Sequence, residues 1–343
     1  MHKSNTNEKV RKSGAFITWI VMVALLLSGC AGAQKAKTYR VGVLSGMGAF
    51  ADAVDGFKSK MTELGYVEGK NISYDVQSTT EIDTEAYKRI TKKFVEDKVD
   101  LIFVFPTEAT VEAKAATQGT DIPVVFTGTY TDIPGVNIVN SIGEPGGNIT
   151  GARVAGQEDA GKRLEILLEI APNAKRIFVP YFKGYPNVPM MLDIIRPQAA
   201  SKGVELIEFG TNDPQELQAK MDSFITSDGV GIDAILMLGE PLAVTPAFYS
   251  ILGQFSYEHR IPIGGTMMSI DGKYSSVFGL LLEGKAIGAL AAVQADKIFK
   301  GTPAGTIPVV TPENHLIVNY KAAQDLGVTV PQGVLSEAAQ IIR

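Results

Sequence analysis

Hydroxyls, carboxylates and tyrosines gather in this chain where long apolar runs give out. VDLIFVF (99–105) breaks into Pro106, Thr107 and Glu108, and IPVVF (122–126) breaks into Thr127, Thr129, Tyr130 and Asp132. The pattern returns: IDAILML (232–238) ends in Gly239 and Glu240, and RIPIGG (260–265) ends in Thr266, Met267 and Met268. Ser45 closes the run YRVGVLS, and Tyr181 and Tyr185 follow RIFVP (176–180). Such groups suit recognition of a small solute rather than bond-making. Hydroxyls and backbone N–H groups (Ser45, Thr107, Thr129, Thr266) match an anionic end, whereas a carboxylate (Glu240, with Glu108 and Asp132 competing) matches a cationic one. Tyr130, Tyr181 and Tyr185 offer ring faces to an apolar part. Each also has a plainer reading, as a solvated loop acid, a satisfied strand-end hydroxyl or a packing tyrosine.

Catalytic chemistry is poorly supplied. The chain has no G-x-S-x-G elbow, no G-x-x-x-x-G-K-[ST] loop and no H-E-x-x-H pair. GYVEGK at Gly65 is one residue too short for a phosphate loop and follows a helix pattern. The three histidines (His2, His259, His315) are scattered and Cys30 is the only cysteine, so zinc, disulfide and Cys–His chemistry lack residues. No metal, cofactor or enzymatic activity is expected. Of the formal charge of −5, residues 1–29 carry +3, leaving −8 for the remainder (−5 minus +3). An acidic body without a basic stripe argues against nucleic acid as a partner.

The elements that must position these groups read as βαβ units. The apolar runs do not alternate, as expected of strands buried on both faces of a parallel sheet, and helix patterns separate them. Ligands of such sheets sit beyond the strand ends. The repeat of paired runs predicts an α/β protein of two Rossmann-like lobes with parallel sheets. Gly135–Gly151 reads as a crossover, Ser276–Leu282 as a return and Val309-Val310 as a short strand. Expected boundaries are 38–149 plus 279–306 for one lobe and 150–278 plus 307–343 for the other, joined by a three-segment hinge. Ahead of them lies a targeting segment. Four basic residues precede AFITWIVMVALLL, which at 13 residues is short for a membrane span, and Leu27-Ser28-Gly29-Cys30 resembles a bacterial lipobox. The expectation is a signal peptide over 1–29, lipid on Cys30 and a tether over 30–37. The sole tryptophan, Trp19, would leave with the peptide.

Several stretches carry a family resemblance: LGYVEGKN at 64–71, VDLIF at 99–103, IPVVFT at 122–127, PGGNITG at 145–151, LLEIAPNAKRI at 167–177 and VNYKAAQDLG at 318–327. From Arg40 to about Pro331 the chain resembles the ABC-transporter substrate-binding lipoproteins of the tryptophan/tyrosine type, which have the type I periplasmic-binding-protein fold. Ile133 stands where that family usually has proline after Thr-Asp, with Pro134 one position later. The resemblance implies a lipid-anchored extracytoplasmic receptor, acting as a monomer, that closes on a small solute and delivers it to an ABC permease and its ATPase. It implies an amino acid as ligand, aromatic or apolar, with Glu240 where related receptors place an acid. A nucleoside or sugar-like solute, and a role as ligand-presenting sensor, remain alternatives.

Overall fold

Leu101–Phe105 is apolar at every position because both faces of its sheet are covered. Leu101, Phe103 and Phe105 join Val41, Phe57 and Ile287 on one face, while Ile102 and Val104 join Tyr87, Phe94 and Ala109 on the other. This is the two-residue period of a pleated strand written into a continuous apolar run. The computed structural model that shows it describes residues 37–343; the expected signal peptide, Cys30 and all of the tether but Lys37 fall outside the described residues.

The first sheet holds β1 (Tyr39–Ser45), β2 (Ile72–Ser78), β3 (Leu101–Phe105), β4 (Val124–Thr129) and β5 (Ile149–Arg153), in the order β2-β1-β3-β4-β5 with every pairing parallel. Helices α1 (Asp52–Glu63), α2 (Thr84–Glu96) and α3 (Thr107–Ala116) connect its strands. The second lobe supplies β6 (Arg176–Phe182), β7 (Glu205–Thr211), β8 (Ala234–Leu236), β9 (Ile263–Gly265), β10 (Phe278–Leu281), β11 (His315–Asn319) and β12 (Gln340–Ile342). Their order is β12-β11-β10-β9-β8-β6-β7, parallel except where β10 meets β11. Here α4 (Gly156–Ile170) and α5 (Val188–Ser201) cover one face, and α6 (Pro214–Asp222) and α8 (Pro246–His259) the other. The short α7 (Pro241–Val244) follows β8.

One long helix returns to the first lobe. In α9 (Gly284–Phe299), Ile287, Ala291, Ala292 and Ala295 pack with Ala53, Phe57 and Met61 of α1. Glycine makes that crossing possible. A Cβ on Gly56 would lie 2.1 Å from the Lys285 carbonyl oxygen, and one on Gly288 would lie 2.0 Å from that of Ala53.

Three expectations about the crossovers change. Ile149–Arg153, read as the end of a crossover, is the edge strand β5, because Ile149 and Thr150 are buried and pair beside β4. Phe278–Leu281, read as the return, is a strand of the second sheet paired with β9 and β11. Val310 makes only an isolated bridge to Ala152. The chain runs from β5 into α4 at 154–155, from β10 into α9 at 282–283, and enters β11 at His315.

Candidate functional site

The carboxyl ends of both sheets face a cleft of about 490 Å³. Pro106 and Thr107 beyond β3, Gly128 and Tyr130 at β4, Glu240 beyond β8 and Thr266 beyond β9 all line it. A larger groove of about 1000 Å³ runs past Tyr39, Pro123 and Asn148, which start strands or precede them. That is the opposite end of the first sheet from the one where open α/β sheets take ligands.

The cleft is polar at one part and apolar at another. Glu240 is 3% exposed and caps α7: its Oε2 accepts from the backbone N–H of Leu242 at 3.2 Å and of Phe182 at 3.3 Å. Its Oε1 is buried with no partner. Burial outweighs those N–H bonds and pushes its carboxyl up from 4.5 to about 7. Asp159 on α4 has Oδ1 bonded by Asn314 Nδ2 at 2.5 Å and Oδ2 buried without a partner, and burial raises its pKa. One helical turn on, Arg163 donates from Nε to the Gly265 carbonyl at 2.8 Å and from Nη2 to that of Leu280 at 2.9 Å. Among the described residues no carboxylate lies within 4 Å of its nitrogens. Gly239, at φ +43°, lets that guanidinium pack close, since a Cβ there would stand 2.8 Å from Arg163 Cζ. Met47, Phe50, Val244, Met267, Met268 and Leu282 form the apolar wall.

The expected site residues divide. Thr107, Tyr130, Tyr185, Glu240 and Thr266 line the cleft. Thr107 Oγ1 accepts from the Tyr130 backbone N–H at 3.0 Å, and Thr266 Oγ1 is buried without a partner. Tyr130 offers less ring than expected. It is 9% exposed, a Cβ on Gly156 would lie 2.6 Å from its ring, and its hydroxyl donates to the Gly239 carbonyl at 2.8 Å.

Glu108 stands behind Tyr185, accepting its hydroxyl at 3.1 Å, and does not itself line the cleft. Ser45 is buried at the end of β1 between Ser78 and Phe105 in register. Thr129 is fully buried, 2.9 Å from Thr110 Oγ1, so its hydroxyl is spent inside the first lobe. Asp132 sits 3.9 Å from Arg153, and the Tyr181 ring lies over Gly210 of the neighbouring strand. These five stand outside the cleft lining. Sequence reasoning missed Asp159, Arg163 and Asn314. A signal existed for one of them: Ala160, Arg163, Leu164 and Leu167 share one face of α4, and an arginine inside an apolar stripe needs a reason.

Known proteins share this architecture. The "Tyrosine-binding protein" of Clostridioides difficile (strain R20291) is 29% identical over 291 residues, 83% of this chain and 79% of that protein. An ABC domain from Streptococcus pneumonia, solved in complex with L-Trp, superposes with a TM-score of 0.74 at 22% identity, over 89% of this chain and 100% of that one. A ligand-free, open substrate binding protein with adhesive properties from Clostridium difficile gives 0.68 at 23%, over 89% and 99%. At such identities the solved structures establish the fold alone. Residues 41–342 match the family model described as ABC transporter substrate binding protein, and the chain belongs to that family.

Proposed function

We propose that this protein is an extracytoplasmic receptor, held to the membrane by lipid on Cys30, that closes on a free amino acid with an aromatic or apolar side chain. It then hands the solute to an ABC permease and its ATPase. The single observation that carries the ligand class is the pairing of opposite charges in one buried cleft. Arg163 makes its hydrogen bonds to carbonyls and meets Asp159 only through space, while Glu240 and Asp159 each keep a buried oxygen without a partner. Burying an unpaired ion costs several kcal/mol, so this arrangement favours a guest that brings both charges. A zwitterion does so, with its carboxylate toward Arg163 and its ammonium toward Glu240 and Asp159. The methionines and Phe50 then meet the side chain, and methionine adapts to irregular apolar shapes. The named ligands of the relatives, tyrosine and tryptophan, fit this division. The lobes in this reading are 37–153 with 284–310, and 156–281 with 315–343; a hinged receptor of this kind works as a monomer.

The test is a thermal-shift and calorimetric screen of residues 31–343, unfolded and refolded to strip carried solute, against amino acids, nucleosides and sugars. Tyrosine, tryptophan or phenylalanine at 100 times its Kd should stabilise by about 2.7 kcal/mol. Glu240→Gln should weaken that binding roughly tenfold or more, the size of one hydrogen bond to a charged group. Binding of sugars or nucleosides alone, or full affinity in Glu240→Gln, overturns the zwitterion reading.

A further inference from the structure

Two tyrosine hydroxyls bond across the cleft from one lobe to the other, and they differ in kind. Tyr130 is wedged against Gly156 and Met191 beside the first hinge crossing, so its bond to Gly239 belongs to fixed packing. Tyr185 stands on the loop between β6 and α5, a turn that needs Gly184 at φ +82°. Its ring lines the cleft, and its hydroxyl leaves the second lobe to meet Glu108 Oε1 in the first turn of α3 at 3.1 Å. Glu108 does not line the cleft, and its Oε2 is buried without a partner. The orientation of one cleft wall in the second lobe thus depends on a carboxylate of the first.

We propose that Glu108 is a positioning residue for ligand selection: it holds the Tyr185 ring across the closed cleft, so that solutes small enough to leave the Tyr185–Glu108 bond intact are retained. This rests on the cleft being the ligand site and narrows the class of solute it keeps. A free amino acid has both charged ends inside the cleft, as Arg163, Asp159 and Glu240 require. In a peptide the two charged ends stand farther apart, so one of them reaches toward the gap between the lobes, and with the Tyr185 ring fixed that way is narrowed. Breaking the bond should therefore have two effects, faster release of the amino acid and entry of the peptide.

L-tryptophan and the dipeptide glycyl-tryptophan are suitable probes, because the only tryptophan of the chain is Trp19 and a protein starting at residue 31 has none of its own. Release is followed by indole fluorescence in the wild type, Tyr185→Phe, Glu108→Gln, Glu108→Ala and the double variant Tyr185→Phe/Glu108→Ala. Tyr185→Phe and Glu108→Ala should each release tryptophan roughly tenfold faster, as expected for loss of one hydrogen bond to a charged group. The double variant should release no faster than either single one, since both remove the same bond. Glu108→Gln, whose amide oxygen still accepts, should recover most of the wild-type retention, and only the bond-breaking variants should bind the dipeptide. Additive losses, unchanged release, or dipeptide binding by the wild type overturn the proposal. If the wild type binds no amino acid, the cleft reading falls, and small-angle scattering of the empty protein decides the bond separately. An expanded Tyr185→Phe protein supports a closing role, and a radius of gyration equal to the wild type's overturns it.

Discussion

At the scale of residues, the proposal that Glu240 receives the ligand's ammonium predicts a binding that depends on pH. Its carboxyl titrates at about 7 in the empty cleft, against 4.5 ordinarily, because burial disfavours the anion. A raised acid pKa stabilises the empty fold fully below 4.5, and this contribution fades as pH rises through about 7. An incoming ammonium needs the anion, so the ligand works in the opposite sense. If only the ionised form binds, the apparent Kd should rise roughly tenfold between pH 8 and pH 6. The ligand-induced rise in Tm should shrink over the same interval. Calorimetry at the two pH values checks this, and Glu240→Gln should flatten the slope; an equal slope in that variant would assign the proton to Asp159, whose pKa is also raised. Glu240 was legible from sequence because a strand end displays its first polar residue. Thr129 and Ser45 misled for the same reason. Which side of a strand end a hydroxyl takes is set by the pleat and by its neighbours, and Thr110 captures Thr129 inside the lobe. Arg163 and Asp159 were hidden in a helix read only for its leucines.

At the scale of elements, continuous apolar runs announced both parallel sheets, because a strand covered on both faces carries no alternation. What they could not announce was partners distant in sequence. The glycine-rich stretch masked β5, whose burial comes from β4 and from the Thr150 hydroxyl bonded to the Ile307 carbonyl at 2.7 Å. The return of 279–306 to the first lobe was expected, but periodicity did not show that α9 lands on α1, where glycines in both helices carry the contact. Gly288→Ala tests it. The added methyl carbon meets backbone rather than a flexible side chain, so the helices must move apart. Overpacking of this sort typically costs about 1–3 kcal/mol. The expected result is a Tm lowered by several degrees. Hydrogen exchange should quicken in α1 and α9 and stay unchanged in α8 of the other lobe. Equal loosening of both lobes would mean that α9 supports the whole molecule rather than the first sheet.

At the scale of the whole molecule, charge decides how the receptor stays where its permease is. The body beyond residue 29 carries −8, so an anionic membrane surface repels it and attachment has to be apolar. Among the described residues no helix is long and apolar enough to cross a membrane; in the proposed reading the anchor is the lipid expected on Cys30. One acyl chain holds a protein only marginally, and stable anchoring takes a second signal. The acidic body offers little basic surface for that signal, so the proposed reading expects a second chain on Cys30. Expressed whole in a bacterium, the protein should stay with membranes through a high-salt wash and incorporate a fatty-acid label. Cys30→Ser should take up no label. Trp19 gives an internal check on processing, since it is the only tryptophan and precedes the expected cut. Purified lipidated protein should show tyrosine emission alone, and Cys30→Ser, if it escapes cleavage, should show the indole band. Label in Cys30→Ser would put the lipid on another residue, and indole emission from the labelled wild type would mean that the hydrophobic segment stays on; either result makes the lipobox reading wrong.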